Sequence, residues 1–210
     1  MNMPVRVRAR ISPRALLAVL LIAVGLATLA RAGCNYVQEA LTQAHLTEQL
    51  RLAQQRAPRG AIDAGVARPV SAPFPWYLSV PRVGVAVAVV NGADDGTLRT
   101  AAGRIPGTGL PGRPGTIGIA AHRDTFFRGL RHVAIGDRIL VETADRDFEY
   151  RVVSTTIVKP EDTWVLRSHA DEALVLVTCY PFAYIGRAPQ RFVVRAARIP
   201  APTRGAAARP

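Results

Sequence analysis

LVLVTCYP, residues 174–181, is the stretch of this 210-residue chain that most clearly predicts a buried β-strand. Four aliphatic residues and a threonine follow one another, and Pro181 ends the strand because proline cannot donate to a sheet ladder. Cys179 therefore lies where a loop opens, held rigidly yet within reach of a substrate, as a nucleophile must be. An inert core cysteine fits the same pattern, since free cysteine is among the most buried residue types.

Other β-branched runs, separated by turn signals, surround this segment. They lie at residues 85–90, 116–120, 138–142, 148–158 and 191–196. The turns between them are Asn91-Gly92, Leu110-Pro111-Gly112 and Ile135-Gly136-Asp137. Residues 95–102 and 125–131 have the composition of short helices. Many short strands at this spacing favour an all-β fold, either a closed barrel or a sandwich.

The N-terminal region predicts a membrane anchor. A basic tail, residues 1–14, precedes an uncharged apolar run over residues 15–30. A basic flank keeps the N-terminus in the cytoplasm and sends the following domain across the membrane. Counted through residue 33, the run approaches the ~20 residues of a spanning helix. A cleaved signal peptide is the alternative, because Ala30-Arg31-Ala32 has small residues at both cleavage positions, although Arg31 disfavours cleavage.

Composition divides the rest of the chain into four segments. Residues 34–57 are rich in helix formers, with apolar residues three and four apart, and predict a solvated helical stalk. Residues 58–73 are rich in proline and glycine and predict a linker. Residues 74–199 hold the strands and predict the folded domain, while residues 200–210, rich in Ala, Pro and Arg, predict a disordered tail.

Charge and cysteine content exclude several classes of protein. The formal net charge is +12, but the basic residues are scattered and no stripe alternates with aromatic residues, so we expect no nucleic-acid partner. Two cysteines, Cys34 and Cys179, do not make a disulfide framework. No His or Cys pair has metal-ligand spacing, and we expect neither a metal site nor a cofactor. Asp94-Asp95 and Glu161-Asp162 are expected to be solvated loops rather than Ca²⁺ ligands.

Two further strand ends carry reactive side chains. His122 follows the strand at 116–120 and can exchange protons with a thiol, which is mostly protonated at neutral pH; capping the next helix is its alternative role. Arg191 begins the strand that follows the Cys179 strand, and sequential strands are usually neighbours. A guanidinium there can stabilise an oxyanion or hold the substrate backbone, although Arg187 and Arg195 compete for this role.

The order His, Cys, Arg excludes papain-like enzymes, in which Cys precedes His, and the caspase Gln-Ala-Cys signature is missing. An L,D-transpeptidase would require a Ser/Thr-His-Gly-Cys pattern, which is absent.

Leu176-Val177-Thr178-Cys179 instead resembles the strand that carries the catalytic cysteine of sortases. Residues 121–124 are similar to their catalytic histidine segment, and residues 188–194 to the strand of their essential arginine. The resemblance runs from about residue 78 to residue 198 and is greatest to class D.

The resemblance implies an eight-stranded sortase-type β-barrel that acts as a cysteine transpeptidase. Cys179 would cleave a C-terminal LPxTG-like sorting signal of substrate proteins and form a thioester. An amine acceptor, on a cell-wall precursor or a protein, would release it. His122 would be the acid/base and Arg191 the oxyanion group, and Thr178 and Ala121 would contribute to substrate binding. Many members have Gly in place of Ala121. The alternative is a non-enzymatic, membrane-anchored extracytoplasmic β-domain in which Cys179 is inert.

Overall fold

The computed structural model describes residues 13–56, 74–168 and 170–200. A single helix, α1, runs from Pro13 to Arg56. Its segment Leu16–Cys34 has 19 residues and a mean hydropathy of 2.2, so it is long and apolar enough to cross a membrane. None of this segment is buried against the rest of the protein. Residues 13–40 form one compact unit and residues 41–200 form another. The predicted linker at 58–73 and the tail from residue 201 lie outside the described residues.

The second half of α1 packs within the same unit as the strands. Its less exposed residues recur at steps of three and four: Thr42, Gln43, Leu46, Thr47 and Leu50. The Gln43 side-chain oxygen accepts from the Ala88 backbone N–H at 2.9 Å, and its amide donates to the Thr100 carbonyl. Leu50 is only 3% exposed. The expectation of a solvated stalk is therefore corrected for residues 41–56, whose stripe meets the folded domain.

Within the described residues, eight strands close into a barrel, which confirms the all-β prediction and selects the barrel over the sandwich. They are β1 Trp76–Val80, β2 Val85–Asn91, β3 Ala102–Arg104, β4 Gly115–Ala120, β5 Arg138–Glu142, β6 Asp147–Val158, β7 Glu172–Tyr180 and β8 Gln190–Ile199. Their order around the barrel is β1-β2-β3-β4-β7-β8-β6-β5, and β5 pairs back with β1. The β2–β3 and β4–β7 pairs are parallel, and the others are antiparallel.

Short elements differ more from the prediction than long ones. The helix expected over 95–102 is α2, Asp95–Thr100, and the chain then enters β3, which has too few residues to show an alternating pattern. The helix expected over 125–131 is a turn followed by a 3₁₀ helix, Arg128–His132. Asp94 caps α2: its carboxylate accepts from the Thr97 backbone N–H at 3.0 Å, and the Thr97 hydroxyl and amide lower its pKa.

Both faces of β7 are covered, which explains its uninterrupted apolar run. Leu174 and Leu176 point into the main core, together with large buried side chains such as Trp76. Val175 and Val177 point outward into a second cluster. That cluster also contains Val158, Val193, Val165 and Leu166. Because side chains alternate along a strand, β7 is apolar at successive positions only when another layer packs on its outer face. A 3₁₀ helix, Thr163–Leu166, supplies part of that layer.

Candidate active site

The strand register brings the three predicted site residues to one end of the barrel. β7 lies between β4 and β8. Cys179 is directly opposite Arg191 of β8 in the antiparallel ladder. On the other side, the parallel ladder with β4 ends where Ala120 pairs with Val177, and His122 follows two residues after that end. Neighbouring strands are about 4.8 Å apart. Cys179 is thus flanked by a histidine on one side and an arginine on the other.

These three residues line one cleft of about 450 Å³. The other lining residues are Arg123, Asp124, Gly186, Arg187 and Ala188. Cys179 is partly exposed and makes no disulfide. Three arginines and one aspartate give the cleft a positive character, which favours oxygen-rich ligands and developing negative charge. Strand β7 ends one residue after Cys179, at the cis Tyr180–Pro181 bond. The loop from there to β8 forms one wall of the cleft.

The three candidate arginines lie in different places. The Arg191 guanidinium donates through Nη1 to the carbonyl oxygens of Gln190, at 3.0 Å, and Ala188, at 3.3 Å. These bonds orient it at the start of β8. Arg187 lines the same cleft from the exposed loop. Arg195 is opposite Val175, four positions along the ladder and about 13 Å from Cys179. It lines a different groove, with Trp164 and Thr156.

Thr178 and Ala121, predicted to bind substrate, are not at the cleft surface. Thr178 is 2% exposed and Ala121 is 5% exposed. The Thr178 hydroxyl donates to the Ala121 carbonyl at 2.8 Å, and the Ala121 N–H donates to the Val177 carbonyl at 3.3 Å. The structure therefore corrects the expectation that these two side chains contact substrate. Thr178 points inward like Leu174 and Leu176 of β7, and its hydrogen bond joins the end of β4 to β7. The two residues of this hydrogen bond immediately precede Cys179 and His122 in the sequence.

Arg123 is a residue of the cleft that the sequence did not single out. It follows His122, and its Nη2 donates to the carbonyl oxygens of Tyr184, at 2.6 Å, and Gly186, at 3.2 Å. Both carbonyls belong to the loop between β7 and β8. Its position next to the histidine was the signal available, but nothing in the sequence indicates that its side chain crosses to this loop.

The sortase domain family matches residues 78–199. This match covers more than half of the chain. It includes all residues of the eight strands except the first two of β1. The chain belongs to the sortase family. It is 33% identical over 123 residues to Sortase D of Bacillus subtilis strain 168, an alignment that covers 58% of this chain and 62% of that relative. This sortase thus spans less than two thirds of the length of that relative.

Solved sortase structures share the fold. The sortase D5 transpeptidase of Clostridium perfringens superposes with a TM-score of 0.59 at 21% identity, over 78% of this chain and 99% of that chain. Sortase C-1 of Actinomyces oris superposes with a TM-score of 0.55 at 28% identity, over 60% and 73% of the two chains. These similarities confirm the barrel fold of this sortase. The roles of Cys179, His122 and Arg191 remain predictions.

Proposed function

We propose that this sortase is a cysteine transpeptidase that cleaves an LPxTG-like C-terminal sorting signal and transfers the upstream protein to an amine acceptor. Its substrates would be proteins that carry this signal. The acceptor would be a cell-wall precursor or another protein. The observation that carries the proposal is the register that sets Cys179 opposite Arg191, together with the single cleft that these two residues line with His122.

The first half of the reaction forms a thioester. The Cys179 sulfur, as the thiolate, attacks the carbonyl carbon of the scissile Thr–Gly bond, and its electron pair moves onto the carbonyl oxygen. The resulting oxyanion accepts hydrogen bonds from Arg191. Protonated His122 gives its proton to the nitrogen of the leaving glycine as the C–N bond breaks. The upstream protein is left as an acyl group on Cys179.

The second half transfers the acyl group. The acceptor amine attacks the thioester carbonyl, and His122 takes the proton that the amine loses. A second oxyanion forms and collapses, and the C–S bond breaks to release Cys179 as the thiolate. The product is an amide between the upstream protein and the acceptor. Water in place of the amine would give hydrolysis.

Arg191 suits the oxyanion role because it is held before substrate arrives. Two carbonyl oxygens, of Ala188 and Gln190, fix its Nη1. A guanidinium has further N–H donors beyond those used in these bonds. A donor that is already oriented stabilises the oxyanion without the free-energy cost of ordering it during the reaction.

The apolar helix and the charges around it support the proposed compartment. Arg6, Arg8, Arg10 and Arg14 precede the segment Leu16–Cys34. We propose a single-pass protein with its N-terminus in the cytoplasm and its barrel outside. Such an enzyme meets its substrates as they emerge from the membrane, and it meets the acceptor on the same side.

A cleavage assay tests the proposed function. The full chain in detergent is incubated with a panel of fluorogenic LPxTG-like peptides, and the acyl-enzyme is detected by intact-mass spectrometry. We expect the wild type to gain the mass of the upstream peptide on Cys179 and to transfer it to an added amine. Cys179→Ala should give neither product. His122→Ala should be slower by about 10²–10⁴-fold, the usual contribution of general acid–base catalysis.

Cys34→Ala and His132→Ala are the matched controls, because both residues lie outside the cleft. Both should retain wild-type rates. Peptide cleavage that survives Cys179→Ala would disprove the nucleophile. A wild type that cleaves no peptide of the panel, with Cys179 slow to alkylate, would favour a non-enzymatic β-domain.

A further inference from the structure

Arg123 has contacts for which the reaction above has no use. Its Nη2 holds two carbonyls of the β7–β8 loop, those of Tyr184 and Gly186. Its guanidinium carbon also lies 5.8 Å from the centroid of the Tyr184 ring, within the range of a cation–π contact. Residues 183–187 of this loop are exposed. Arg123 therefore ties the segment that carries His122 to an otherwise solvated loop, across one side of the cleft.

The other terminal nitrogen, Nη1, is buried and has no hydrogen-bond partner among the described residues. Leaving such a donor unsatisfied is unfavourable for folding, and more so for a charged group. Buried polar groups in folded proteins are nearly always paired, so each exception calls for an explanation. Arg123 lines the cleft beside Cys179 and Arg191. Because Nη1 is closed to solvent, a ligand oxygen can provide the missing acceptor only when the exposed β7–β8 loop shifts to admit it.

We propose that Arg123 is a second guanidinium that positions the acyl donor. Nη2 holds the β7–β8 loop as a wall of the cleft, and when the bound sorting peptide displaces this loop slightly, Nη1 donates a hydrogen bond to a main-chain carbonyl of the peptide. This inference rests on the function proposed above. It assigns the bond to the acyl donor because a guanidinium only donates, which matches a carbonyl oxygen. The amine acceptor, when protonated, would be repelled by the arginines of the cleft.

Both contacts require a planar group with donors pointing in different directions. A lysine ammonium is a single point charge and cannot hold the loop and the peptide together, so Arg123→Lys should behave more like Arg123→Gln than like the wild type. We expect Arg123→Gln to lower the acylation efficiency by about 10- to 100-fold, the loss that corresponds to one hydrogen bond from a charged group. The loss should arise chiefly from a higher peptide concentration at half-saturation, because Arg123 positions substrate and transfers no proton.

The experiment measures the two half-reactions separately on the full chain in detergent. The probe is a fluorescent LPxTG-like peptide that acylates the wild type, and single-turnover acylation is followed against peptide concentration. Aminolysis of the purified thioester by glycinamide is then measured alone. Arg128→Gln and Arg128→Lys are the matched controls, since Arg128 is exposed and lies outside the cleft. Thermal melting and iodoacetamide alkylation of Cys179 report the fold and the nucleophile without any peptide.

We expect both Arg123 variants to acylate slowly, to alkylate at the wild-type rate and to undergo aminolysis normally. Acylation of Arg123→Gln as fast as that of Arg128→Gln would overturn the inference alone. A defect confined to aminolysis would place Arg123 at the acceptor instead and would also overturn it. A parallel loss of alkylation would reduce Arg123 to a structural clamp. If none of the sorting peptides acylates the wild type, the proposed function fails, and this inference fails with it.

Discussion

Three arginines near Cys179 differ in where the barrel holds them, and this difference predicts their effects. Arg191 is opposite Cys179 and is fixed by two carbonyl oxygens. Arg187 lines the cleft from an exposed loop, and Arg195 lines another groove. Loss of one preorganised oxyanion donor typically costs about 10²–10³-fold in rate. Arg191→Ala should therefore slow single-turnover acylation by about that factor, while its melting temperature stays near that of the wild type.

Arg191→Lys should remain slow, because an ammonium cannot reproduce the planar fork of a guanidinium. Arg187→Ala and Arg195→Ala are the comparison variants and should stay within about tenfold of the wild type, since Arg187 is an exposed charge and Arg195 lies outside the cleft. Acylation rates of all four variants, measured with one peptide, test the assignment. If Arg187→Ala or Arg195→Ala is the slowest, Arg191 is not the oxyanion residue.

At the scale of secondary-structure elements, an ion pair joins the 3₁₀ helix Pro81–Val83 to the turn before β5. The Arg82 guanidinium donates to both carboxylate oxygens of Asp137, through Nε and, at 2.6 Å, through Nη2. The Ala134 N–H donates to the same carboxylate at 2.8 Å. Asp137 is 8% exposed. These donors hold the pKa of Asp137 below its usual range, with Arg82 as the main cause.

Asp137→Asn should therefore destabilise the barrel at neutral pH by about 1–3 kcal/mol, the cost of weakening a charged hydrogen-bond group. A carboxyl group whose pKa is lower in the folded protein adds stability at pH values above its unfolded-state pKa, about 3.9. This stability is lost as the pH falls through the folded-state pKa. The difference between wild type and variant should shrink over that acidic range. Urea unfolding at several pH values measures it. Asp145→Asn, at an exposed position, is the control, and an equal loss there would refute the argument.

For the whole molecule, the boundary of the folded domain is expected within α1 rather than after it. Gln43 bonds to Ala88 and Thr100, and Leu50 is buried. Burying a leucine contributes about 1.5–3 kcal/mol. A variant that lacks residues 1–40 should keep this contribution. One that lacks residues 1–57 should melt about 3–12 °C lower, since 1 kcal/mol shifts the melting temperature of a domain of this size by about 2–4 °C.

Point variants separate this packing from a general effect of chain length. In the protein that lacks residues 1–40, Gln43→Ala and Leu50→Ala should each lower the melting temperature. Gln49→Ala, on the exposed side of the helix, should not. Equal melting temperatures for the two truncated proteins would show that residues 41–56 add nothing to the stability of the barrel.

Membrane topology is a property of the complete chain. The segment Leu16–Cys34 is preceded by arginines, so the barrel should lie outside the cytoplasm. Protease added to intact spheroplasts should digest the barrel, and protease added to inverted vesicles should not until detergent is present. The reverse result would contradict the orientation and, with it, the substrate class. A mature N-terminus at Gly33 would show instead that a signal peptide is cleaved.

The sequence alone determined the features that depend on neighbouring residues. Strand β5 was predicted with its observed limits, and the cores of β2, β4, β6, β7 and β8 were also predicted, because β-branched content and turn residues act over a few positions. The apolar helix was predicted from its hydropathy. Cys179, His122 and Arg191 were recognised as candidates from their places at strand ends and from the sortase resemblance.

Tertiary structure alone decided which strands pair and in what register. The parallel pairing of β4 with β7 joins segments separated by about fifty residues, and no local pattern encodes it. That register brings His122 into the cleft of Cys179, turns Thr178 inward onto the Ala121 carbonyl, and lets Arg123 reach the loop after β7. The packing of residues 41–56 was likewise unpredicted. Such contacts depend on which surfaces exclude water together once the barrel has closed, so they are properties of the assembled core.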